Sequence, residues 1–114
     1  MTVLINMTEL RLSGETARVF DGFQYGDTNV SFFLIDAPSG EGPSLHSHPY
    51  EEIFVIQAGQ VTFTVGDATI EATGGQIVIA PAGVPHKFIN SGTAQLRSIN
   101  IHPASRMITE WLED

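Results

Sequence analysis

Residues 40–59, GEGPSLHSHPYEEIFVIQAG, and residues 75–90, GQIVIAPAGVPHKFIN, decide how this chain folds. The first stretch sets Gly40 before His46-Ser47-His48, then Glu52, then Gly59. The second sets Gly75 before Pro81, Gly83, His86 and Asn90. His46 and His48 are two residues apart, so on a strand both imidazoles leave the same side of a sheet. Glu52 follows the Pro49-Tyr50 break, and His86 arrives from a second strand-like segment. Three imidazoles and a carboxylate converging in a closed sheet suit a first-row divalent metal.

Outward from these blocks helical periodicity is nearly absent. Arg18 to Tyr25 is expected as a strand ending at a Gly26-Asp27 turn, and Val30 to Ile35 is a dense run of β-formers closed by Asp36-Ala37-Pro38-Ser39-Gly40. Ile53 to Ile56 and Val61 to Val65 flank Gln57-Ala58-Gly59-Gln60, which predicts a hairpin. Gly66-Asp67 turns into Ala68 to Ala72, and Gly74-Gly75 turns into Gln76 to Ile79. Phe88-Ile89 and Leu96 to Ile101 supply the last strands, with Ile108 to Leu112 as a helical turn or an edge strand. Short strands recurring every ~8–12 residues predict an all-β sandwich or barrel. The intervals leave no room for the crossover helices of a parallel sheet. Several runs, Val30 to Ile35 among them, are apolar on both parities. Their second face is expected to meet another layer or another subunit.

The 114 residues predict one domain, spanning residues 1–114. There is no cysteine, hence no disulfide and no thiolate ligand. A formal charge of -8, from 13 acidic and 5 basic residues, opposes nucleic-acid binding, which is chiefly electrostatic. No apolar stretch approaches the ~18 residues a membrane span needs. The Met1-Thr2-Val3-Leu4-Ile5-Asn6 start lacks the basic and apolar regions of a signal peptide. The expected location is the cytoplasm.

The two blocks resemble the two motifs of the cupin superfamily, and both are complete. Gly40, His46-Ser47-His48, Glu52 and Gly59 match the first; Gly75, Pro81-Ala82-Gly83, His86 and Asn90 match the second. The short spacer between Gly59 and Gly75 is similar to that of small microbial cupins. The resemblance implies a double-stranded β-helix, or jelly-roll barrel, with a divalent metal on His46, His48, Glu52 and His86. It does not specify a reaction, since one fold carries many chemistries.

Each candidate has a plainer role to set beside this. Glu52 competes with Glu51; a buried carboxylate needs a partner, so one of the two points inward, and the motif spacing selects Glu52. Phe54 and Ile56 share its parity and are expected to pack below the metal. Pro81, Gly83 and Pro85 give His86 a restricted approach. Asn90 is expected as a structural amide and Phe88 as an inward neighbour of His86. His102, beside Pro103, is expected at the surface or rim, with a proton relay as the functional alternative. On that basis His102→Ala should leave bound metal nearly unchanged. Tyr50 is expected to pack at the rim, with guarding the pocket entrance or donating to a bound substrate as the functional alternative. Arg97 interrupts an apolar strand, and an outer salt bridge is set against an anion-binding role; Arg18 and Arg106 are open in the same way.

The ligand set suits Fe, Mn, Ni, Co or Zn, with one or two positions left for water, substrate or dioxygen. Expected pocket walls are Phe54, Ile56, Phe63, Phe88 and Val78, with Phe32 or Phe33. Such walls favour a small chelating organic substrate and an oxygenase or dioxygenase. An isomerase, lyase or decarboxylase, or a non-catalytic metal-containing binder, are the alternatives. The remaining expectations are a small-molecule partner, no nucleic acid, no membrane, and a homodimer with Val3-Leu4-Ile5 and Ile108 to Leu112 near the contact.

Overall fold

A computed structural model describes residues 2–113 and forms two antiparallel sheets from eleven strands. The strands are β1 (Arg11–Ser13), β2 (Ala17–Phe20), β3 (Ser31–Ala37), β4 (His46–Ser47), β5 (Glu52–Ala58) and β6 (Gln60–Val65). They continue as β7 (Ala68–Thr73), β8 (Ile77–Ala80), β9 (His86–Asn90), β10 (Leu96–His102) and β11 (Glu110–Trp111). One sheet runs β1-β2-β3-β10-β5-β8 and the other β11-β4-β9-β6-β7. The jelly-roll expectation is met. No helix among the described residues is long and apolar enough to cross a membrane.

Strict alternation builds the interior. In β5 the side chains of Glu52, Phe54 and Ile56 are buried; in β9 those of His86, Phe88 and Asn90 are. The two sheets close over Phe54, Ile56, Val61, Phe63, Phe88 and Leu96. Phe54 and Phe63 meet with ring centroids 4.7 Å apart at 58°, the tilted geometry aromatic pairs favour.

The predicted hairpin at Gln57-Ala58-Gly59-Gln60 does not form. β5 pairs with β8 and β10, whereas β6 pairs with β7 and β9, so the chain crosses here from one sheet to the other. Gly59 makes the corner with φ +94°, and a Cβ there would stand 2.6 Å from the Gln95 carbonyl oxygen. A glycine between two strands looks the same in sequence whether the strands pair or part. The true two-residue hairpin is Gly66-Asp67, with Val65 opposite Ala68. The expected strand over Arg18 to Tyr25 is cut short at Phe20 and continues as a 3-10 turn, Gly22–Gln24. The tail takes the edge-strand alternative, as β11 on β4.

The outer face of the larger sheet is apolar in two register rungs. Phe20, Phe32, Ile101, Ile53 and Ile79 form one, and Leu34, Ile99, Val55 and Ile77 the other, with Arg18 at its β2 end. Ile77 and Ile79 are 64% and 57% exposed, so this face is left facing solvent. The strands that looked apolar on both parities therefore supply core with one side and this face with the other.

Candidate metal centre

His46 and His86 stand directly opposite each other on β4 and β9, and β5 brings Glu52 from the facing sheet. His48 follows two residues after His46, as its parity predicts. All four side chains are buried, and one donor atom from each lies within 4.8 Å of the others. Glu51, by contrast, is exposed.

The three imidazoles are oriented by backbone carbonyls. Nδ1–H of His46 donates to Ser44 O at 2.7 Å, that of His48 to Ile108 O at 2.8 Å, and that of His86 to Val84 O at 3.1 Å. A carbonyl only accepts, so each neutral ring carries its proton on Nδ1 and turns the Nε2 lone pair inward. Nε2 of His48 and of His86 both lie 2.9 Å from Oε1 of Glu52. Lone pairs aimed at a carboxylate repel unless a proton or a cation sits among them. This donor set fits a divalent metal, with the carbonyls acting as the outer partners that fix ring orientation.

The charge environment agrees. Burial would push the Glu52 carboxyl up, but its contacts with His102, His48 and His86 outweigh burial and hold it well below the usual carboxylate range. Burial lowers His46. His86 also feels burial, yet the Glu52 carboxylate and the Val84 carbonyl raise it above the ordinary imidazole value.

His102 departs from its expected place at the rim. It is 1% exposed, with Nε2 at 3.2 Å from Oε2 of Glu52. Its Nδ1 is 2.7 Å from the Tyr50 hydroxyl, whose oxygen accepts the Ile108 N–H at 3.1 Å. Tyr50 is not mere rim packing either, since its ring stacks on His48 at 5.3 Å and 2°. The sequence carried a signal for this. In β10 the polar parity, Ser98, Asn100 and His102, is buried, while Ile99 and Ile101 face outward.

A cavity of about 250 Å³ opens beside the cluster. Its walls include Phe33, Ile35, Phe88 and Trp111, with Asn100 and Thr109 as polar points. Of the expected walls, Phe88 and Phe33 line it. Phe54, Ile56, Phe63 and Val78 belong to the closed core instead, because the inner faces pack solid on the far side of the ligand set. Trp111 lies over His46 with centroids 4.9 Å apart.

None of the lining residues is a lysine or arginine. Arg97 points outward, 3.8 Å from Asp36, as the salt-bridge expectation had it. Arg11 is held by Asp21, Arg18 by the Thr8 and Leu10 carbonyls, Lys87 by Glu113, and Arg106 lies over the Phe23 ring. Asn90 is the structural amide expected of it: its Nδ2 donates to the Ala37 and Ala94 carbonyls, and its Oδ1 accepts from Gly92 N.

Comparison with known proteins agrees with this architecture. A family model described as a cupin domain matches residues 33–102. An uncharacterized protein of Streptomyces coelicolor is 34% identical over 62 residues, covering 54% of this chain and 59% of that protein. The oxalate decarboxylase of Lactobacillus farciminis, solved as a formate complex, superposes with a TM-score of 0.80 at 20% identity, over 93% of this chain and 34% of that one. An uncharacterized conserved protein with a double-stranded β-helix domain from Klebsiella pneumoniae gives 0.75 at 20% identity, over 97% and 92%. The chain thus spans under two thirds of the curated relative and about a third of the decarboxylase. With the family match running from β3 through β10, and with both histidine blocks inside it, the chain belongs to the cupin domain family.

Proposed function

We propose that this protein is a metal-dependent oxygenase acting on a small, largely apolar organic molecule that chelates the metal. His46, His48, Glu52 and His86 would hold one divalent ion, with Fe(II), Mn(II), Ni(II), Co(II) and Zn(II) all compatible with the donors. The observation that carries the reading is a three-imidazole, one-carboxylate cluster beside an apolar cavity without a cationic side chain. A metal in this position supplies Lewis acidity and, when redox-active, electrons for dioxygen chemistry.

The chain's own residues do the selecting. The cavity is below the size range of drug-sized ligand pockets, ~300–1,000 Å³. Phe33, Ile35 and Phe88 exclude water from the substrate body, while Asn100 and Thr109 offer hydrogen bonds. All five lysines and arginines are engaged elsewhere. A doubly charged carboxylate would therefore lack a side-chain counter-charge here. Neutral molecules that become anionic on chelation, such as catechols and 1,3-diketones, suit the site better. Metal-loaded protein should consume oxygen in step with loss of a member of such a panel. Carbon dioxide release from oxalate or another acid without oxygen uptake would replace this reading with a decarboxylase. Tight binding without turnover would leave a binding protein.

Metal uptake should depend on pH with a definite sign. The imidazoles must be deprotonated to ligate, so affinity should fall as pH drops below about 6.5. Because Glu52 raises His86, proton competition should persist above the ordinary imidazole range. Calorimetry in buffers of different ionisation enthalpy should show proton release on binding near neutral pH, shrinking as pH rises; uptake independent of pH would exclude histidine ligation.

The two apolar rungs on the larger sheet support a homodimer. A chain with formal charge -8 meets its copy at least cost through a face poor in acidic groups, and twofold pairing is the commonest closed arrangement. Light scattering should give a dimer at micromolar concentration, and Ile79→Glu should shift it to monomer. Within the chain, Trp111 of the tail lies on His46 at the cavity wall. The substrate, the dimer and a cytoplasmic location all belong to this proposal.

A further inference from the structure

His102 is a fully buried imidazole that the four-ligand set does not use, and its surroundings give it a different tautomer from the other three. The Ile108 N–H occupies the Tyr50 oxygen from one side at 3.1 Å. An ordinary phenol carries its proton at neutral pH. That proton has His102 Nδ1 as its acceptor at 2.7 Å. The His102 ring proton is then on Nε2, a buried atom that makes no hydrogen bond of regular geometry and stands 3.2 Å from Oε2 of Glu52. His46, His48 and His86 present lone pairs to the centre; His102 presents a proton.

From this sorting we propose that Tyr50 and His102 are positioning residues that tether Glu52 by its second carboxylate oxygen. The inference rests on the metal reading above and deepens it. Oε2 faces Nε2 of His102 at 3.2 Å, close enough for a small turn of the ring to complete the bond, and Oε1 faces Nε2 of His48 and His86 at 2.9 Å. Phe33, with its ring centroid 5.5 Å from that of His102, and His48, at 4.6 Å, confine the imidazole. Its proton and that of the phenol run in one direction, from the Tyr50 hydroxyl to the carboxylate. Without the tether, Glu52 is free to turn both oxygens toward a bound ion and take a position that substrate needs. His102 is thus a specificity device for the carboxylate and not a fifth ligand.

The test uses the whole chain and Mn(II). Free Mn(II) measured by electron paramagnetic resonance gives affinity, water-proton relaxation gives the number of exchangeable waters, and nitrogen-15 spectra of the metal-free protein give tautomers. The parent should show an Nε2–H tautomer at His102 and Nδ1–H tautomers at the other three. His102→Leu should weaken Mn(II) binding by roughly 10–100-fold, the usual effect of losing such an outer partner, and should reduce exchangeable water. His102→Gln keeps an amide donor near Oε2 and should restore most of both. Equal losses in the Leu and Gln variants, parent-like binding by His102→Leu, or an Nδ1–H tautomer at His102 would each overturn the tether. If His102→Leu does not fold by circular dichroism, Tyr50→Phe decides. That variant removes one oxygen and should shift the His102 tautomer and lower affinity; no change in either overturns the proposal. A parent that binds no Mn(II), Fe(II), Co(II), Ni(II) or Zn(II) overturns the metal reading and the tether together. A parent that binds, with indifferent variants, overturns the tether alone.

Discussion

His86→Ala should lower metal affinity by at least about 100-fold, and His46→Ala should do the same, because each removes a donor from a closed buried set. The two rings face each other across β4 and β9, and neither loss can be covered by a neighbour. His102 offers a protonated nitrogen and sits on the far oxygen of Glu52. The measurement is bound metal per chain after dialysis, read beside the melting temperature. Metal should raise the melting temperature of the parent by preferential binding to the folded state and should leave that of His86→Ala nearly unmoved. Full metal content in both alanine variants would refute the site.

Phe54→Ala should have the largest effect on the fold itself. The ring is 1% exposed and touches Phe63, Phe88 and His86, with centroids 4.7, 5.8 and 5.9 Å away. Truncating such a core ring costs about 3–5 kcal/mol, from lost burial plus the cavity left behind. For a chain of this size that corresponds to a fall in melting temperature of at least ~12 °C. Urea melts of metal-free protein should show a lower midpoint with an unchanged slope. Because Phe54 also supports the His86 ring, metal affinity should fall with it, which a surface control such as Thr69→Ala should not reproduce. A stability loss below ~1 kcal/mol would mean that the two sheets do not meet on this ring.

What the sequence made legible was whatever depends on parity and turn chemistry. His46-x-His48 on one side of a strand, Glu52 inward and Glu51 outward, and Asn90 as a backbone tie all follow from local pattern, and the structure has each of them. Where β5 and β6 go after Gly59 depends on partners far along the chain, so a local hairpin rule assigned them to one sheet. His102 failed for a different reason. The usual expectation turns apolar side chains inward, but β10 turns Ser98, Asn100 and His102 inward and its isoleucines out. A strand with inverted polarity is what a functional lumen needs, and its outward isoleucines then become part of the exposed face of the larger sheet.

The crossing at Gly59 also bears on how the molecule reaches its native state. Glu52 arrives in one sheet while His46 and His86 arrive in the other, so the four donors meet only when the sheets close. Closure relies on pairings such as β3 with β10, more than fifty residues apart in the chain, a topology that folds in milliseconds to seconds rather than microseconds. An ion that needs all four donors is expected to engage only once the sheets have closed. Added metal should therefore slow unfolding and leave the refolding rate nearly untouched, making the site a latch on a finished barrel and not a template for building one.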